Sequence, residues 1–178
     1  MSRLAQLTDD QVSESAKPLL DGIHQKLGMV PNLYRVLANE PAVLSAILAM
    51  NTALDKGSFN AETREAIALA AAGENSCDYC ASAHTMISKS LKVEDEEIGL
   101  RLRGAASDPK LNAILKFARA VIVERGFVSS AQIDEARAAG LTDGEIVETV
   151  GHVVVNIFTN YTNHVAETDI DFPIVRVS

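Results

Sequence analysis

Apolar residues recur three and four positions apart along almost the whole of this chain, and no strict apolar–polar alternation persists outside the last residues. That periodicity selects helices and leaves little to build a sheet from. The punctuation agrees with it. Thr8-Asp9-Asp10-Gln11 reads as a capping box opening a helix over 9–27, with an interruption risk at Pro18 and a stop at Gly28. Pro31 starts a short segment carrying Leu33, Tyr34, Val36 and Leu37, and Pro41 starts a helix over 42–55. Asn60 caps an Ala-, Ile- and Leu-rich helix over 61–72, which Gly73 breaks. So apolar a helix must be buried nearly all round, within the domain or at a subunit contact. Further helices are expected over 77–91, 94–103 and 109–125, over 130–139 with Ser130 as cap, and over 142–165 behind the box Thr142-Asp143-Gly144-Glu145. The tail from Asp169, with Pro173, reads as extended. The expectation is an all-α fold of about eight helices joined by short connections.

A length of 178 residues suits one domain over 1–178 with a real core. A net charge of −8 repels phosphate backbones, which argues against nucleic acid as a partner. No apolar run reaches membrane-spanning length without a charge, and the first residues do not lead into a signal-peptide core. The expected compartment is the cytoplasm, with no membrane partner. Thiols there are kept reduced, so a close cysteine pair reads first as catalytic, redox-sensing or metal-binding.

The chain has two cysteines, three apart in Cys77-Asp78-Tyr79-Cys80, with His84 four residues further on. On a helix these spacings put both thiols and the imidazole on one face. Cys80 would lie in the first turns, where free amides and the helix dipole favour a thiolate. His84, one turn later, can take the proton. A carboxylate would then orient the imidazole, and Glu65 and Glu74 are the nearest upstream candidates. Glu65 sits in an apolar helix, where a carboxylate needs a partner, whereas Glu74 sits in the expected turn. This set supports a two-cysteine cycle. One thiolate takes an oxygen from a hydroperoxide and becomes a sulfenic acid; the other condenses with it to a disulfide, which an external thiol or dithiol reductant reopens. That cycle needs no cofactor. The competing readings are two buried structural thiols, or a Zn²⁺ site of two thiolates, imidazole and carboxylate, for which one helix face offers awkward geometry.

Glu65, Cys77, Cys80 and His84 reproduce an E-x11-C-x2-C-x3-H pattern. In this, and in Val30-Pro31-Asn32-Leu33 and Asn156-Ile157-Phe158-Thr159-Asn160, the chain resembles the alkylhydroperoxidase AhpD-like group of the carboxymuconolactone decarboxylase superfamily, closest to its uncharacterised peroxidase-related members. The resemblance implies an all-α AhpD-like fold, homo-oligomers such as trimers or hexamers, and thiol-dependent peroxidase activity. It implies Cys80 as the peroxidatic cysteine, Cys77 as the resolving one, and Glu65 with His84 as proton relay. It departs at Tyr79, where the best-known peroxidases of the group carry a histidine. Decarboxylating members lack the cysteine pair. The alternatives are a thiol–disulfide oxidoreductase or redox sensor with little peroxidase turnover, and a non-enzymatic oligomeric metal-binding or stress protein.

Other residues admit a plain and a sharper reading. Tyr79 is expected to pack half-buried; its sharper reading is a phenol at the site entrance. His152, Asn156, Asn160 and His164 form a polar stripe on an apolar helix, either fixing register or a subunit contact or reaching the cysteines. Asp169 and Asp171 read as a solvated tail, and His24 as a surface residue.

Overall fold

A computed structural model describes residues 2–177. Among these residues there are nine helices and no strand: α1 Lys17–Leu27, α2 Asn32–Leu37, α3 Pro41–Leu54, α4 Ala61–Glu74, α5 Asp78–Ser90, α6 Asp95–Leu102, α7 Pro109–Val123, α8 Ser130–Ala138 and α9 Asp143–Ala166. The fold is all-α, as the periodicity requires. The ninth helix is the short segment after Pro31, which closes into α2.

The first helix starts later than its capping signal suggests. The Thr8 hydroxyl is spent on Asp10 at 2.6 Å, so the chain only turns there. Pro18 then falls in the opening positions of α1, where its missing N–H costs nothing. It starts this helix rather than interrupting it. The cap of α8 is Ser129, one residue before the expected Ser130, in a full capping box with Gln132. The box at Thr142 and Glu145 opens α9 as read.

Gly73 does not end α4, which continues to Glu74. Its glycine answers to packing: a Cβ there would lie 1.8 Å from the carbonyl oxygen of Leu102 at the end of α6. The helix ends at Asn75, and Ser76 takes a left-handed φ of 53° that turns the chain into α5. That conformation costs a non-glycine residue roughly 1 kcal/mol.

Helix α4 is the centre of the molecule, in contact with α5, α6, α7 and α9. Residues 66–72 are all buried, and Ile67 and Leu69 are 0 % exposed. Burying each of those two side chains contributes roughly 1.5–3 kcal/mol. The helix feeds two apolar clusters. Ala72 joins one with Leu33, Leu37, Leu44, Ile47, Cys77, Tyr79 and Cys80. Ala66, Ile67 and Ala70 join the other with α7 and the start of α9. The thiols thus belong to the core on one side of α4.

The tail after α9 is irregular but fastened down, which corrects its reading as solvated. Asp171 accepts hydrogen bonds from the Tyr79 hydroxyl (2.8 Å) and from Asn32 N–H (2.8 Å). Val175 N–H donates to Ser82 Oγ at 2.9 Å, and Val177 N–H to Asp78 Oδ1 at 2.9 Å. Gln6 Nε2 donates to Asp169 Oδ2 at 2.7 Å. The tail is thereby laid across the start of α5. No helix of the described residues is long and apolar enough to cross a membrane.

Candidate active site around the cysteine pair

Cys77 is the N-cap of α5, with extended backbone angles and its Sγ accepting the Cys80 N–H at 3.4 Å. It does for this helix what Ser, Thr or Asp usually does. The cap fixes the sulfur over the first turn, and Cys80 brings its own sulfur to the same place. The Cys77 thiol donates to Cys80 Sγ at 2.8 Å. Both thiols are free and buried, 1 % and 3 % exposed.

The two sulfurs titrate apart. Donation from the Cys77 thiol holds Cys80 below an ordinary thiol; burial opposes this, and the hydrogen bond from Asn163, with the nearby polar groups of Asn160 and Thr159, reinforces it. Cys77 is pushed far up by the same hydrogen bond, by burial and by the charge of Cys80. When the pair gives up one proton, Cys80 is the thiol that loses it and Cys77 the one that keeps its own.

Glu65 and His84 meet as expected, with His84 Nδ1 2.7 Å from Glu65 Oε2. Their side chains are 22 % and 19 % exposed, so little water competes for the contact. Burial alone would push the imidazole down; the Glu65 charge and hydrogen bond outweigh it and hold His84 above its ordinary value. Among the described residues His84 makes no hydrogen bond to either sulfur, and the thiol within its electrostatic reach is Cys77. Glu74 is elsewhere, paired with Arg119 at 2.6 Å. Tyr34 of α2 lies within reach of Glu65: burial and that carboxylate both raise its phenol.

Tyr79 is more buried than expected, at 5 %, with its hydroxyl accepting Leu33 N–H at 3.1 Å and donating to Asp171. It ties α5 to α2 and the tail, edge-on to Phe172. A cleft of about 390 Å³ opens beside the pair, lined among others by Ser76, Cys77, Tyr79, Asn163, Thr168 and Arg176. Cys77 is part of its lining, and Cys80 is not.

The polar stripe of α9 divides. His152 is buried against Phe59 and Glu148, far from any exposed use, while His164 is exposed and stacks on Tyr161. Asn156 bonds back to the His152 carbonyl. Asn160 accepts from Asn75 Nδ2 at 2.8 Å, and its amide lies near enough to Cys80 to help lower that thiol without completing a hydrogen bond to it. Asn163, which a strict four-residue spacing passes over, donates to Cys80 Sγ at 3.2 Å. Each four-residue step drifts about 40° around a helix, so a line drawn to His164 leaves the site. Spacings of four and then three, Asn156 to Asn160 to Asn163, follow the buried face and were the available signal. His24 is exposed as read. Among the described residues no group of three or more His, Cys, Asp and Glu is placed to hold a metal ion.

Residues 41–122, which contain all four motif residues, match the carboxymuconolactone decarboxylase family. Comparison with curated proteins finds no match. Among solved structures, an AhpD-core, uncharacterised peroxidase-related protein from Ralstonia eutropha JMP134 is similar, at 23% identity over 96% of this chain and 92% of that one, with a TM-score of 0.85. An uncharacterised peroxidase-related protein from Silicibacter sp. TM1040 is 22% identical over 94% and 89%, with a TM-score of 0.81. The debrominase Bmp8, solved with 2,3,4-tribromopyrrole, shares the fold at 18% identity over 96% and 92%, with a TM-score of 0.80, so the fold also serves an enzyme named for debromination. The chain thus has an AhpD-like all-α fold over nearly its whole length, and its stretch 41–122, around the motif, is similar to the carboxymuconolactone decarboxylase family.

Proposed function

We propose that the protein is a thiol-dependent peroxidase that reduces hydroperoxides through a Cys77–Cys80 dithiol/disulfide cycle. The observation that carries this reading is the 2.8 Å contact from the Cys77 thiol to the Cys80 sulfur, beside a Glu65–His84 pair held at 2.7 Å. A thiolate is the reactive form, and Cys80 is the thiol that its surroundings make easier to ionise. Its sulfur attacks the distal peroxide oxygen and the O–O bond breaks. Cys80 becomes a sulfenic acid, and the departing alkoxide takes a proton from His84, which Glu65 keeps protonated. Cys77 then gives up its proton, bonds to the Cys80 sulfur and displaces hydroxide as water. The sum is dithiol plus hydroperoxide to disulfide, alcohol and water. An external thiol or dithiol reopens the disulfide by exchange.

The test is peroxide consumption with dithiothreitol as donor. Wild type is expected to turn over, and Cys80→Ser to lose the activity while keeping its helical circular dichroism. A wild type that cycles disulfides but consumes no peroxide would instead be an oxidoreductase or sensor.

The reading includes self-association into a trimer or hexamer. Val147, Val150, Val154, Tyr161 and Val165 are 71%, 38%, 50%, 54% and 64% exposed along one face of α9. Spacings of three, four and seven make this a continuous apolar stripe, which a second copy would cover. Light scattering that gives a monomer at micromolar concentration would remove this part of the reading.

A further inference from the structure

The side chain that touches the reactive sulfur from outside α5 is an asparagine on α9, and it is an expensive residue to keep there. Asn163 is 4 % exposed. Its Nδ2 donates to Cys80 Sγ at 3.2 Å, and its Oδ1 is buried with no hydrogen-bond partner. Asn160, one turn earlier and 0 % exposed, is in a similar position, with its Oδ1 held by Asn75 and its Nδ2 unpartnered. A buried polar atom without a partner costs free energy, and a leucine of similar volume would fill the space without that cost. Two half-used amides side by side are therefore unexplained by packing. They are explained by a charge, because an anionic sulfur repays donors that a neutral thiol does not. Asn163 also lines the cleft that opens on Cys77, so the same side chain meets both that cleft and the Cys80 sulfur.

We propose that Asn163, with Asn160 beside it, is a positioning residue that holds the Cys80 sulfur in its anionic form through a direct amide hydrogen bond and so decides which of the two cysteines attacks. The proposal rests on the peroxidase reading for its purpose but not for its test. It divides the site between two supports. Amides of α9 serve Cys80, and the Glu65–His84 pair stands next to Cys77. The orientation of the Asn163 amide follows from the sulfur: only the NH2 end can donate, so Oδ1 is left without a role in the resting state. Lower demand for this hydrogen bond after Cys80 is oxidised would free Nδ2, because the sulfur of a disulfide is a far weaker acceptor than a thiolate.

The test is the ultraviolet absorbance of the thiolate as a function of pH in a Cys77→Ser background, where Cys80 is the only thiol and the serine keeps a donor at position 77. Two further substitutions are compared in that background. Asn163→Leu removes the donor at similar volume, and Asn163→Asp keeps the shape but puts an acceptor against the sulfur. Asn163→Leu is expected to raise the Cys80 midpoint by about one pH unit, the loss of a hydrogen bond to a charged group. Asn163→Asp is expected to raise it further, and gives the reading if the leucine chain fails to fold. An unchanged midpoint in either folded variant overturns the proposal. Peroxide consumption by the parent chain is measured alongside. A shifted midpoint in a chain that consumes no peroxide sinks the peroxidase reading and leaves the positioning role standing. An unshifted midpoint in an active enzyme does the reverse.

Discussion

Glu65 is the carboxylate of an otherwise apolar stretch of α4, and His84 is the reason it can stay there. Each supports the other: the carboxylate favours the protonated form of the buried imidazole, and the imidazole gives the carboxylate a hydrogen-bond partner. Because His84 titrates above its unfolded value, the pair stabilises the fold fully below about pH 6.5 and loses that stabilisation as pH rises through the raised value. Glu65→Gln is therefore expected to cost about 2 kcal/mol in mildly acidic buffer. The gap to wild type should narrow as pH climbs, read from urea unfolding across a pH series; a gap that does not change with pH contradicts the pairing. The same substitution should slow peroxide turnover by about a hundredfold, the size of a lost acid–base partner. The motif residues were legible because helical spacing brings Cys77, Cys80 and His84 together within one element. Tyr79 was legible only as a packing residue, since its partner Asp171 lies on the tail and nothing local announces that bond. Asn163 was hidden for a related reason: its chemistry depends on where α9 crosses α5, which spacing within α9 does not tell.

At the scale of the elements, α4 sets the site by being small-sided. Its run of buried alanines lets α5, α6, α7 and α9 approach together, and α5 and α9 then meet over the cysteines. Gly73 is the tightest point of that packing. Gly73→Ala places a methyl 1.8 Å from the Leu102 carbonyl, which is backbone and cannot swing aside. The expected loss is about 1–3 kcal/mol, against the gain alanine would bring to an ordinary helix interior. Thermal unfolding checks this, and a variant as stable as wild type would show that α6 does not press on α4 as the structure has it. Glycine read as a helix breaker was the natural inference from sequence, because the neighbour that demands it comes from another helix. Caps were legible where the side chain serves its own helix, at Asn60 and Thr142. Thr8 misled because its hydroxyl is taken by Asp10.

The whole molecule reads as a buried dithiol placed under a strapped tail and beside a cleft, with the proton inventory already sorted. Cys77 is the thiol that holds its proton, Cys80 the one that ionises more readily, and the Glu65–His84 pair favours a further proton within electrostatic reach. The all-α architecture followed directly from periodicity, since a chain without alternation has no other way to bury so much apolar surface. Its division of labour did not, because it depends on contacts between α4, α5 and α9 that are far apart in sequence. The sharpest check on this account is an anaerobic titration of the fully reduced protein with substoichiometric hydroperoxide, with the thiols counted and the peptides mapped by mass spectrometry. The account predicts that each peroxide removes both thiols of one chain and leaves a Cys77–Cys80 disulfide within it. Peroxide that leaves both thiols intact, or oxidises Cys80 while Cys77 stays free, would contradict it.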